Sequence, residues 1–305
     1  MASEAKASDA VVFGQPIVVD NGTGTMKAGF AGDDRPKTVF SSYVGRPKYD
    51  SVMTGGAIKE GSAYVGRLAK EHRGAMRLSY PMEHGVVSNW EDMELLWQYM
   101  FQEGLGVTPE ESPVLLTEPP QNPARTKERT AEIFFEKFNA PAVQFSSQAV
   151  LSLYASGCTT GVVLDCGAGV TSSVPVYEGF AVKHAVERAD VGGRDVTRHM
   201  KLLLRKAGCV FHTSSEFEIV RDIKEQVCYV ARNPGKEEAS FNDKHRHVNH
   251  TLPDGSEIIV GPERFRAPEL LFDPSIIGSE YECGLCGSLV CVCVWCGVFT
   301  NNTAL

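Results

Sequence analysis

Two short stretches carry residue types that could hold a polyphosphate. Ile17–Val18–Val19 runs into Asp20–Asn21–Gly22–Thr23–Gly24, and Val162–Val163–Leu164 runs into Asp165–Cys166–Gly167–Ala168–Gly169. Each is an apolar run of β-formers closed by an acidic residue and a Gly-x-Gly turn, the pattern of a buried strand that ends in a tight hairpin. Glycine admits φ > 0 and leaves no Cβ between the backbone and a phosphate. Successive N–H groups of such a turn cup an anion. The Asp at the strand end suits hydrated Mg²⁺ rather than the phosphate itself. Two facing copies would grip a nucleotide polyphosphate from both sides. One copy alone would be read as an ordinary Asp-Gly hairpin; two in matching strand context favour the clamp. Lys27, just past the first turn, sits where an ammonium reaches a phosphate oxygen, although a solvated strand lysine is the plainer account of it.

The elements that must position these turns follow from periodicity. Ile17 to Val39 reads as a meander, with a second strand at Met26–Phe30. Tyr43 to Tyr64, which contains Gly55–Gly56, is poor in core residues and reads as an exposed insertion. After Ser88–Asn89, a helix is marked by Met93, Leu96, Trp97 and Met100 at i, i+3, i+4 and i+7. Val114–Thr117 is a short strand and Thr126 to Asn139 a helix. Val143–Phe145 is a strand, and Gln148 to Ala155 is an apolar helix stopped by Gly157. After the second turn come strands at Thr171–Tyr177 and Phe180–His184. A helix then runs from Gly192–Gly193 to about Lys206, and a longer one from Ser215 to Arg232 carries Val220, Ile223, Val227 and Val230 on one face. Lys236 to His250 reads as a solvated excursion whose His245, His247 and His250 are surface histidines rather than ligands. A hairpin turns at Asp254–Gly255. Pro262 to Gly278 is loop-rich. Strand–helix alternation of this kind implies an α/β layer architecture, here as two units with a nucleotide between them.

Composition sets outer bounds. The chain has 305 residues, 43% hydrophobic and 22% charged, with a net charge of −8. That is globular, long enough for about two domains, and does not favour nucleic acid as a partner. Met1 to Phe13 is small and polar and reads as a disordered tail, neither leader nor anchor. No apolar run reaches membrane-spanning length, so no membrane insertion is expected. Cys158, Cys166, Cys209 and Cys228 are read as reduced thiols of a cytoplasmic protein.

Several segments together resemble actin and the actin-related proteins. They are Asp20–Gly24, Lys27–Asp33, Tyr43–Pro47, Tyr80–Gly85, Asn89–Glu94, Gln148–Ala155, Ile223–Glu225 and Glu263–Arg266. The segment Phe211–Val220 leans toward centractin, the actin-related protein of the dynactin filament. The resemblance implies an actin-like ATPase fold: α/β, two duplicated RNase H-like domains around ATP or ADP with Mg²⁺. The domains would span 14–155, with a mobile insertion over 43–80, and 156–281, the second incomplete at its C-terminal end. It also assigns roles. Asp20 and Asp165 would hold Mg²⁺ through water. Asn21 and the amides of Gly22, Thr23 and Gly24, with Lys27, would hold phosphates. Gln148 would position the attacking water, with Asp165 beside it. The amides of Gly167, Ala168, Gly169 and Val170 would form the opposite jaw. Gly193, Lys224 and Glu225 would approach ribose and adenine, and His84 would lie beside the cleft. Implied partners are further copies in a filament, docked through residues near Arg46 to Val65, and dynactin-type or actin-binding proteins of the cytoskeleton.

The sequence departs from that family in three places. Position 168 is Ala where the family usually has Asp, and position 172 is Ser where it usually has His. Both losses should slow ATP hydrolysis more than they weaken binding. After Tyr281 the family pattern gives way to a divergent Cys-rich tail, 282–305. Its pairs Cys283/Cys286 and Cys293/Cys296 have zinc-knuckle character, but the apolar run between them favours an alternative ending of the chain. Three readings are therefore carried forward: a filament subunit that binds Mg-ATP, a truncated actin-like protein that binds nucleotide or partners without hydrolysis or polymerisation, and a sugar kinase or chaperone-type ATPase on the same fold.

Overall fold

The structure is a computed structural model that describes residues 14–48, 62–241 and 247–278. The tail at 1–13, the central part of the expected insertion with Gly55–Gly56, His245 and the Cys-rich run lie outside the described residues.

The first half begins with three strands: β1 (Ile17–Asn21), β2 (Thr25–Phe30) and β3 (Thr38–Ser41). β4 (Val44–Pro47), α1 (Gly66–Glu71) and β5 (Met76–Ser79) follow, then the short hairpin of β6 (Met82–Glu83) and β7 (Val86–Val87). Next come α2 (Trp90–Tyr99), β8 (Val114–Glu118), α3 (Ala124–Glu136), β9 (Val143–Ser147) and α4 (Gln148–Ala155). The sheet order is β3-β2-β1-β8-β9. β1 pairs antiparallel with β2, putting Asp20 opposite Lys27, and parallel with β8. The Asn89 side chain accepts from the Asp92 amide and starts α2, whose Met93, Leu96 and Trp97 are fully buried against this sheet. Burial of each stabilises the fold by about 1.5–3 kcal/mol. Trp97 meets Phe134 of α3 edge-on, 4.9 Å between ring centres.

The second half is built on β10 (Gly161–Cys166), β11 (Thr171–Tyr177), β12 (Phe180–Ala181) and β13 (Glu187–Ala189). α5 (Gly193–Lys206), α6 (Ser214–Val227), α7 (Pro234–Ser240), β14 (Val248–Thr251), β15 (Glu257–Val260) and α8 (Glu263–Arg266) complete it. β10 and β11 form a hairpin in which Asp165 faces Ser172. Thr213 and Glu216 form a reciprocal capping box that fixes the start of α6. Val196, Met200, Val220 and Ile223 pack α5 against α6.

Four sequence expectations need correction. The stretch from Tyr43 does not begin as an exposed insertion: Tyr43 and Val44 are buried, and β4 pairs with β5. Arg46 of that stretch binds the fully buried Asp92 with both terminal guanidinium nitrogens. The long helix does not reach Arg232. It stops at Val227 because Cys228 turns extended (φ −76°, ψ 152°), which leaves Val230 exposed rather than on the core face. The strand from Phe180 ends at Ala181, and a helical turn over Lys183–Ala185 replaces its end. The expected polar excursion from Lys236 begins within a helix, α7, which Asn233 caps with Pro234 at its first position. Among the described residues no helix is long and apolar enough to cross a membrane.

Candidate functional site

The two Gly-x-Gly turns face one another. An ideal Cβ on Gly24 would lie 2.8 Å from the Ala168 Cβ, and one on Gly169 would lie 2.8 Å from Thr23 Oγ1. Glycine at 24 and 169 is therefore what allows the turns to meet. The β6–β7 hairpin straddles them. Its two-residue loop puts both His84 (φ 46°) and Gly85 (φ 74°) in the left-handed region, the geometry of a tight hairpin. The Gly85 amide donates to Thr23 Oγ1 (3.0 Å), and His84 Nδ1 donates to the Gly169 carbonyl (2.9 Å). A carbonyl only accepts, so this bond fixes the proton on Nδ1.

Asp20 ends β1 beside the end of β8. Its Oδ1 accepts from Thr117 Oγ1 (2.7 Å) and from Gln148 Nε2 (2.9 Å). Its Oδ2 lies 3.8 Å from Lys27 Nζ, across the β1–β2 ladder. By sequence alone Thr117 is only a strand residue. Its place at the carboxyl end of a strand parallel to β1, where α/β sheets hold ligands, was the signal available. Asn21 is tied inward: its amide donates to Thr117 Oγ1 (3.2 Å), and its Oδ1 accepts from Trp97 Nε1 (3.1 Å). Asn21 thus supports the first turn.

Asp165 stands opposite. Burial, then the negative charge of Asp20, push its carboxyl above the ordinary range, and Lys27 opposes this. Two carboxylates close enough to repel, with an oxygen-only donor set, suit a hard divalent cation held through water. Bound there, the ion would relieve the repulsion that raises Asp165.

The amides of the turns are not all free. Gly22 donates to the Asp20 carbonyl (3.0 Å) and Gly167 to that of Val170 (2.8 Å). Thr23, Gly24, Ala168, Gly169 and Val170 have no backbone acceptor among the described residues, so these five are the donors left for an anion. The second turn is anchored from behind by α5. The Gly193 amide donates to the Gly167 carbonyl (3.0 Å) and the Arg194 amide to that of Ala168 (2.8 Å). A Cβ on Gly192 would strike the Ala168 carbonyl at 2.8 Å, so that approach needs glycine.

Beyond the turns lies an open cleft of about 960 Å³, its solvent-facing mouth included. Thr23, Gly24, Gly167 and Ala168 form one end of it, and Gly193, Lys224 and Glu225 line its wall. Asp20, Lys27, Gln148 and Asp165 do not line that wall; they form a polar group around Asp20. Lys224 donates to the Gly193 carbonyl (3.0 Å), and burial lowers the affinity of its amine for a proton. Burial also pushes the neighbouring Cys228 thiol up to about 12.

Three contacts that the sequence reading missed close the cleft. Tyr80 donates to Glu218 (2.5 Å) and lies under the Arg194 guanidinium, 3.9 Å from its ring centre. Arg73 pairs with Asp222 at 3.0 Å. The Leu78 amide donates to Ser214 Oγ at 3.0 Å. All three join the β4–β5 region of the first half to α6.

Comparison with known proteins matches the family described as actin over residues 14–285. A curated relative, an "Actin-like protein" of Neurospora crassa, is 56% identical over 271 residues, which covers 87% of this chain and 71% of that protein.

Proposed function

Since this chain belongs to the actin family, we propose that it binds ATP or ADP with Mg²⁺ in the cleft between its halves and serves as a cytoskeletal filament subunit of the centractin type, in the cytoplasm. The observation that carries this reading is the pair of facing turns, with Asp20, Thr117 and Gln148 on one side and Asp165 on the other. Free amides of both turns would hold the β- and γ-phosphates, and Lys27 is near enough to Asp20 to join them. The bound ion would neutralise charge on the phosphates. Gln148 starts α4 and keeps its amide on the Asp20 carboxylate. It would orient a water toward the terminal phosphate, because phosphoryl transfer is chiefly positioning and charge stabilisation.

Ala168 and Ser172 favour a second reading, a nucleotide holder with little turnover. Ser172 is buried opposite Asp165 and offers a hydroxyl where the family usually has an imidazole, and Ala168 adds no carboxylate to the second turn. The test is ATP retention by filter binding with and without Mg²⁺, single-turnover hydrolysis on the same sample, and sedimentation with each nucleotide. Mg²⁺-dependent retention with slow hydrolysis and ATP-dependent pelleting is the expected result. Failure to retain ATP would remove the proposal; retention without pelleting would leave the nucleotide site and remove the filament.

A further inference from the structure

The amides left open in the two turns are aimed by whatever holds the carbonyls beside them. Every peptide bond among the described residues is trans, so the C=O and N–H of one unit point in opposite directions. In the second turn, the carbonyls of Gly167 and Ala168 are held by the amides that start α5. The Ala168 and Gly169 amides are therefore turned away from that helix. In the first turn the same task falls to one residue, Ser42, in the link between β3 and β4. Its hydroxyl donates to the Gly22 carbonyl (2.7 Å), and its amide donates to the Gly24 carbonyl (3.1 Å). Ser42 is fully buried and does not line the cleft. It is itself held in place, because Tyr43 beside it is buried and meets Tyr80 edge-on, 5.8 Å between ring centres.

We propose that Ser42 is a positioning residue for the phosphates: its hydroxyl fixes the Gly22–Thr23 peptide plane and so aims the Thr23 amide at them. This role rests on the nucleotide site proposed above and adds to it a residue that acts only through the turn. A buried hydroxyl keeps its hydrogen-bond partner, and here that partner is the carbonyl whose direction sets the next amide. Gly22 has no side chain to resist rotation of that plane. With the hydroxyl removed, the Gly22 carbonyl loses its hold and the Thr23 amide loses its aim. The second turn, anchored by backbone amides alone, has no side chain in the corresponding place. Ser42 is thus where a single side-chain change reaches one jaw of the clamp and leaves the other untouched.

The test is displacement of a fluorescent ATP analogue from the full chain, with Mg²⁺, by ATP and by AMP, which lacks the β- and γ-phosphates. Ser42→Ala removes the hydroxyl and keeps the amide. ATP is expected to bind about tenfold more weakly and AMP as it does to the parent. Thr130→Val is the control. It deletes another buried hydroxyl, one that donates to the Thr126 carbonyl (2.9 Å) within α3. It should leave the ratio of ATP to AMP affinity unchanged, whatever it does to melting. Ser42→Cys nearly keeps the shape but donates weakly; its ratio should lie between those of the parent and Ser42→Ala, and it carries the test should Ser42→Ala be insoluble. An unchanged ratio overturns the proposal, and so does an equal loss of ATP and AMP, which marks a purely structural role. A parent that binds neither the analogue nor ATP removes the nucleotide site itself, and the role of Ser42 with it.

Discussion

Gln148 Nε2 lies 2.9 Å from Asp20 Oδ1. The bond links the first residue of α4, the helix leading from one half to the other, to the carboxylate at the end of β1. A shift of α4 is therefore felt at Asp20 directly.

Gln148→Ala removes that link but leaves the Thr117 bond to the same oxygen. The carboxylate stays in place, so ATP affinity is expected to change little. Hydrolysis in a single-turnover assay should fall by about 10²-fold. A rate equal to the parent's would take Gln148 out of water positioning.

Ala168→Asp with Ser172→His should act in the opposite direction. Ser172 faces Asp165 across the hairpin, and Ala168 lies in the turn between them. Turnover is expected to rise by about 10²-fold with little change in ATP retention. If neither moves, the second turn has been given the wrong role.

Gly24→Ala places a Cβ 2.8 Å from that of Ala168, closer than carbon atoms tolerate. The turns must part, and ATP retention is expected to drop by about tenfold or more with the fold intact. Adding Ala168→Gly opens the space again and should restore binding. A double variant as weak as the single one would show that turn-to-turn contact is not the cause.

Asp165 sets a pH dependence. Its folded-state pKa is raised by burial and by Asp20. The folded chain therefore holds that proton more firmly than the unfolded chain does. The stability this contributes is fully present below the unfolded value of about 3.9 and is lost as pH rises through the raised one. Nucleotide-free Asp165→Asn is thus expected to melt above the parent at pH 7, the gap closing toward pH 4. Melting curves across that range check it, and a gap that stays constant with pH would contradict it.

Tyr80→Phe strands a fully buried Glu218 oxygen and should cost about 1–3 kcal/mol. Because the bond joins the two halves, release of a fluorescent nucleotide should also speed up. Arg194 keeps its place over the ring, so the change isolates the hydroxyl. Altered melting without altered release would confine the bond to stability.

Much of this was legible beforehand because it rests on local chemistry. Both Asp-Gly turns, the apolar stripe of α2 and the Gly192–Gly193 start of α5 are written in short windows of sequence. What was not legible depends on distance. Nothing near Thr117 announces a bond to Asp20, and nothing around Tyr80 points to Glu218. Arg46 and Tyr43 look like loop residues until Asp92 and the β4–β5 ladder are in place. Periodicity carried the helix past Val227 because the valine spacing continues at Val230; the backbone turns at Cys228 for tertiary reasons that a window of sequence does not contain.

The β4–β5 clasp also fixes an order of assembly. Leu78, Tyr80 and Arg73 bond to residues 136, 138 and 149 positions later. On a ribosome adding about 5–20 residues per second, the hairpin waits roughly 7–30 s for its partner helix. During that interval Tyr80 and Leu78 have no lid, and contacts so remote in sequence form slowly even after both parts exist. The first half of the chain therefore reaches its final shape only after the second has been made, and a nascent chain stalled before Ser214 would present that hairpin to chaperones.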